Sequence, residues 1–155
     1  MIDKGAKDIY LLSTARRYSV NDKKEEGYTK AMLEADLEPR VFRTSGDTSI
    51  NKAHFETFFA DINVDAAIGV RDSIAVSFLN TAINNGKLVP SNLKIAGFQN
   101  TKYASLSRPG LTSIDIPVYD IGAVSMRLLT KLMQTKGVEN TRIVLPHHVI
   151  VRESI

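Results

Sequence analysis

Apolar residues in this chain gather in short runs, some of them broken by polar residues, separated by longer stretches of mixed polarity. The runs are Ile9–Leu12 (IYLL), Arg40–Thr44 (RVFRT), Ala66–Val70 (AAIGV), Leu93–Gly97 (LKIAG) and Leu111–Ile116 (LTSIDI). Their length and their Gly, Pro or charged flanks predict short buried strands. Between them the apolar spacing turns helical. Lys23–Asp36 carries Gly27, Tyr28, Ala31, Met32 and Ala35, and Ser49–Ile62 carries Ile50, Ala53, Phe55, Phe58, Phe59 and Ile62. A third helix runs from Asp72 or Ser73 to about Asn85, with Gly86 placed for a left-handed C-terminal cap. Asp22 is the expected N-cap of the first helix, with Glu25 completing a capping box. Residues 98–110 read as a polar loop.

Alternating strands and helices predict an α/β fold, a parallel sheet built by right-handed crossovers and flanked by helices. Strands buried on both faces need not alternate in polarity, which explains the continuous runs. Loops at the carboxyl ends of such strands are where open α/β sheets take ligands. The last third departs from this pattern. Val118–Met133 is an amphipathic helix with Ile121, Val124, Met126, Leu128, Leu129 and Leu132 as its apolar set. Arg142–Val151 is β-rich but holds Pro146, which predicts an edge strand or two short pieces.

Composition narrows the function classes. The chain has 155 residues, 43% hydrophobic and 24% charged, enough for one real core. Net charge is +3 and the basic residues are scattered, so no nucleic-acid patch is evident. Cysteine is absent, and no apolar run reaches signal-peptide or membrane length. A cytoplasmic protein with no membrane role is expected. GxSxG, P-loop and GxGxxG motifs are missing. The only histidines are His54, His147 and His148. The last two are neighbours in a predicted strand, point to opposite faces and do not share a metal easily. No catalytic residue, metal or cofactor is expected, and the chain does not read as an enzyme.

The run from Gly97 to Lys131, GFQN…RPGLTSIDIPVYDIGAVSMRLLTK, resembles the effector-binding core of LacI/GalR-type bacterial transcription regulators. KGAKDIYLLS, EEGYTKAM, DAAIGVRDSIAV and NNGKLVPSNLKIAGF lie upstream at family-like intervals. The texture is nearest to the catabolite control and sugar-operon repressor branch. The resemblance implies a periplasmic-binding-protein-like (type I) lobe, with a small sugar or sugar-like effector in a cleft between two lobes. Residues 1–116 correspond to the second lobe, 117–150 to a crossover helix and strand of the first, and 151–155 to a tail returning to the second. Operator DNA would be read by an N-terminal domain outside this chain. A free-standing periplasmic sugar-binding protein is the alternative of another class.

The same resemblance implies three sets of residues. Effector contacts fall on Lys24, Thr48, Arg71, Asp72 and Gln99. Lys24 stands where an Arg is usual and Gln99 where an acidic residue chelates a sugar diol, so two cations, Lys24 and Arg71, face the cleft. That suits a phosphorylated or carboxylated ligand. The plainer readings are a helix N-cap for Asp72, a solvated helix charge for Lys24, and turn residues for Gln99 and Asn100. A homodimer interface falls on Val76, Leu79, Asn80 and Ile83 with Tyr103 and Leu106. The plainer reading has Val76, Leu79 and Ile83 facing the sheet. A docking surface for serine-phosphorylated phosphocarrier protein falls on Tyr119, Asp120 and Arg127. His148 takes the place of the family's second arginine there.

Overall fold

A computed structural model describes residues 1–134 and 142–155, the side chain of Thr48 excepted. After a short 3-10 turn at Ile2–Lys4, the elements are β1 (Ile9–Thr14), α1 (Ser19–Glu34), β2 (Arg40–Thr44), α2 (Thr48–Asp61), β3 (Ala66–Gly69) and α3 (Asp72–Asn84). They continue with β4 (Lys94–Phe98), α4 (Lys102–Leu106), β5 (Thr112–Asp115), α5 (Val118–Gln134) and β6 (His148–Ile150). One sheet holds all six strands in the order β2-β1-β3-β4-β5-β6. The first five are parallel, and β6 joins β5 antiparallel with Ser113 opposite Ile150.

Successive residues of β1 point to opposite faces. Tyr10 meets Phe58 of α2 edge-on, ring centroids 5.1 Å apart, while Leu11 lies beside Gly27 and Tyr28 of α1. On the α2–α3 side, Phe42, Phe55, Phe58, Phe59 and Phe78 form a ring cluster, mostly edge-to-face at 4.6–6.0 Å. That geometry suits the aromatic quadrupole. On the other side, the buried Tyr28 hydroxyl donates to Ile9 O (2.7 Å) and accepts from Arg40 N (2.9 Å). α1 thereby staples β1 to β2.

Several expected boundaries shift for tertiary reasons. α1 begins at Ser19 rather than after Asp22, and its N-cap, Tyr18, makes no side-chain cap bond. The buried Asn21 amide instead donates to Thr14 Oγ1 (3.0 Å), fastening the first turn to the end of β1. Glu25 does not close a capping box. It accepts from Ser13 Oγ (2.6 Å) and from both terminal nitrogens of Arg43 (2.9 and 2.7 Å). α2 is capped by Asp47, which accepts from Ser49 N (2.9 Å). Ile50, expected in its apolar set, is exposed. The loop expected at 98–110 contains α4, whose Ala104 is fully buried. Gly86 does take the left-handed conformation, φ 74°.

The last third divides. α5 forms as the periodicity predicts but buries no residue. β6 is the expected edge strand and pairs antiparallel with β5 of this sheet. The tail is anchored deeply. Ser154 is fully buried; its Oγ donates to Ile95 O (2.6 Å) and accepts from Thr112 N (2.8 Å).

Candidate effector site

The sheet changes winding direction between β1 and β3, because chain connections leave these neighbours in opposite directions. At such a switch point the loops beyond the carboxyl ends part and leave a crevice. Lys24, Arg71 and Gln99 all come to this edge. Lys24, on α1, donates through Nζ to Val70 O (2.8 Å), just past β3, and lies 4.7 Å from the Phe98 ring centroid at the end of β4. Arg71 follows β3 and donates through Nη2 to Gly46 O (3.0 Å), beyond β2. Gly46 is required there twice. Its φ is +83°, and an added Cβ would lie 3.0 Å from Arg71 Nη2 and 3.1 Å from Thr14 Cγ2.

The electrostatics are unbalanced. Among the described residues, no carboxylate lies within ion-pair distance of Lys24 or Arg71. Burial depresses the Lys24 pKa below the usual lysine value; the Arg71 charge lowers it further, with Asp72 opposing. The Arg71 Nε is buried without a hydrogen-bond partner. Glu25, the nearest acid on α1 in sequence, is committed elsewhere. The Arg43 hydrogen bond, helped by Ser13, holds its pKa below the ordinary glutamate value against a desolvation that opposes it. Asn51, fully buried below the same edge, accepts from Thr44 Oγ1 and Ser45 Oγ but leaves its Nδ2 unpaired.

Asp72 behaves differently from the other expected contacts. It is fully buried, and α3 is capped by Arg71, so Asp72 is not the N-cap. Its Oδ2 accepts from Thr101 N (2.6 Å) and Thr101 Oγ1 (2.9 Å), and its Oδ1 from Ser113 Oγ (2.6 Å). The carboxylate thus binds the loop that carries Gln99. Gln99 itself is exposed, with φ +100°, and its backbone N–H donates to Ile114 O (2.8 Å). Thr48 opens α2, and its side chain lies outside those described.

The expected dimer set is mixed in burial, and the α5 set is exposed. Val76, Asn80 and Tyr103 line one outer groove with Lys52, Ser77 and Asn84. Asn80, Tyr103, Ile83 and Leu106 are exposed, whereas Val76 is half-buried and packs partly against the core. Leu79 is a correction: it is fully buried and packs with Ile74, Ala75, Phe78 and Ala82 toward the sheet. Tyr119, Asp120 and Arg127 are exposed along α5, and His148 is exposed in β6, in register with Asp115. Sequence reasoning missed Gly46, Asn51, Phe98, Ser113 and Arg152 as parts of the site. Only Gly46 carried a signal, as a turn glycine. Among the described residues there is no cluster of three or more His, Cys, Asp or Glu suited to a metal, and no helix long and apolar enough to cross a membrane.

Known proteins match this architecture. The family model of the periplasmic binding protein-like domain covers residues 1–155. Catabolite control protein A of Priestia megaterium is 36% identical over 99% of the chain, and that of Staphylococcus epidermidis 34% over 98%. The chain spans about half the length of these curated relatives, 48% and 47%. Among solved structures, the transcription regulator CcpA of Lactococcus lactis superposes with a TM-score of 0.85 at 34% identity, covering 99% of this chain and 57% of that one. The Lac repressor shares the fold at TM-score 0.90 and 18% identity, covering 99% of this chain and 47% of that one. These named relatives are transcription regulators, not enzymes. The chain therefore belongs to the periplasmic binding protein-like family, and its sequence is similar to catabolite control protein A over about half of that protein's length.

Proposed function

We propose that this chain is the effector-sensing and dimer-forming part of a LacI/GalR-type transcription regulator, and that its effector is a small anion of the sugar-phosphate type. The observation that carries this reading is the convergence of Lys24 and Arg71, two cations with no carboxylate in ion-pair reach among the described residues, at the switch point of the sheet. A phosphate or carboxylate there would relieve their mutual repulsion and give Arg71 Nε an acceptor. Gln99, at the same edge, supplies uncharged hydrogen bonds to hydroxyls. Residues 1–116 with β6 and the tail form one wall of the cleft. α5 and residues 142–147 extend towards a second wall. Effector binding would bias the angle between the walls and so the population of DNA-competent dimers.

The test is calorimetric titration of the intact regulator with glucose and with glucose 6-phosphate. The phosphorylated sugar is expected to bind more tightly, and Lys24→Met and Arg71→Met are each expected to weaken it by roughly tenfold or more, the loss of one charge-assisted contact. Equal or tighter binding of glucose, with both variants unchanged, overturns the anionic reading. The groove of Val76, Asn80 and Tyr103 is the proposed homodimer surface. Tyr103→Asp should lower the sedimentation mass of a dimer to that of a monomer.

A second reading has one supporting observation. Tyr119, Asp120 and Arg127 are all exposed on one helix, with Tyr119 86% accessible. They are available to serine-phosphorylated phosphocarrier protein, with Arg127 as the phosphate anchor. Loss of phosphoprotein binding in Arg127→Ala, with small-molecule binding intact, would favour this catabolite control role.

A further inference from the structure

The loop that carries Gln99 is held by a residue more than fifty positions away in the sequence. Gln99 and Asn100 are consecutive non-glycine residues with positive φ, +100° and +48°. Asn enters that region readily, but a Gln at +100° resists it, so the turn persists where surrounding bonds hold it. Asn100 is bound on three sides. Its N–H donates to Ser113 Oγ (3.0 Å), its Nδ2 donates to Asp115 Oδ1 (3.0 Å), and its Oδ1 accepts from Arg152 Nη2 (2.7 Å). The guanidinium of Arg152 is a fork with a second tine: Nη1 donates to Leu111 O (2.7 Å). The Arg152 backbone N–H is itself fixed, donating to Thr112 Oγ1 (2.8 Å).

Arg152 lies between two anchors. Before it, β6 pairs with β5 and follows directly from residues 142–147. After it, Ser154 is locked between β4 and β5, with Ile95 N donating to Ser154 O (2.8 Å) and Ser154 N to Gly110 O (3.1 Å). The tail is therefore built into the sheet, and its one long cationic side chain is turned to the loop at the carboxyl edge. Nothing in the strand pairing requires that: β6, the Arg152 backbone N–H and Ser154 already secure the tail.

We propose that Arg152 is a positioning residue, the latch by which the C-terminal tail sets the conformation of the Gln99–Asn100 loop at the cleft. The latch rests, for its bearing on effector binding, on the reading of Gln99 as an effector contact. It makes the seating of the 142–152 segment and the shape of the effector loop one coupled event.

Amide hydrogen exchange on the intact chain, read by nuclear magnetic resonance, tests this without any ligand. Its outcome is independent of whether glucose 6-phosphate binds. Arg152→Met should accelerate exchange of the Gln99, Asn100 and Thr101 amides by about tenfold, the size of one charge-assisted hydrogen bond, while β1 and β3 stay protected. Arg152→Lys keeps the charge but cannot span both acceptors, and should give a smaller change at the same amides. It carries the test if the methionine variant does not fold. In an Asn100→Gly background, where the side-chain acceptor is gone and positive φ is unstrained, either substitution should add nothing at these amides. Unchanged exchange at residues 99–101, or equal acceleration throughout the sheet, overturns the proposal. So does a full additional effect in the Asn100→Gly background.

Discussion

Two helices, α3 and α5, show how differently one signal can be used. Both are amphipathic in sequence and both form. α3 buries Ile74, Ala75, Phe78, Leu79 and Ala82 completely, over a sheet whose Gly69 and Gly97 leave room for close approach. α5 buries nothing. Its Ile121, Val124 and Leu128 face a groove shared with Ile143, Leu145 and His147, of which none is buried either. A helical apolar stripe reports that a partner surface is needed. It does not report which surface, and here the body of the sheet does not supply it.

Substitutions can break this comparison, beginning with the largest effect. Phe78→Ala removes a fully buried ring that touches Phe55, Phe58 and Phe59, and should cost about 3–5 kcal/mol in urea unfolding. Asp72→Ala leaves Thr101 N and Ser113 Oγ without their acceptor in a buried setting, and should cost about 2–3 kcal/mol. Gly46→Ala forces an L side chain to φ +83° against Arg71. About 1–2 kcal/mol is expected, together with weaker anion binding because the guanidinium is displaced.

Glu25→Gln weakens the Arg43 pair, and about 1 kcal/mol is expected because Arg43 is partly exposed. The sign of its pH dependence follows from the lowered pKa. The folded state favours the ionised carboxylate, so its stabilisation is present above the ordinary glutamate value and lost as pH falls through the lower folded value. Acid unfolding of Glu25→Gln should accordingly be less steep than wild type in that window. Leu128→Ala closes the series, with an effect within about 0.5 kcal/mol. A Leu128→Ala cost approaching that of Phe78→Ala in urea unfolding would mean that α5 is covered in solution.

β1 and β3 were legible because burial on both faces leaves short continuous apolar runs; the half-buried edge strand β2 coincides residue for residue with RVFRT all the same. Helix ends were less so. Asp22 and Glu25 had the spacing of a cap, but Asp22 pairs with its near neighbour Arg17, Glu25 is taken by Arg43 from β2, and α1 starts earlier. Leu79 illustrates the same limit for a helix face. Residues 76, 79, 80 and 83 share a stripe in projection, yet the sheet beneath α3 is wide enough to take 79 with 75 and 82. α4 had no periodic pattern to read, since one buried alanine positions it. For the candidate site, the family-like frame indicated Lys24, Arg71 and Gln99 at one edge, and the fold brings them there. It did not reveal that Asp72 is enclosed, or that Asn51 and Arg152 belong to the same polar framework.

By itself the sequence determined the alternation of strands and helices, the parallel sheet, and the absence of familiar catalytic motifs. These follow from local periodicity and from residue types that must or must not be present. The tertiary structure alone decided which charges are neutralised and which are left over. Arg43 takes Glu25, Arg71 turns to a glycine carbonyl, Lys24 meets Val70, and Arg152 reaches Asn100 across 52 positions of sequence. Hydrogen bonds and ion pairs depend on distances of a few ångströms between side chains that the fold brings together. No one-dimensional pattern encodes those distances.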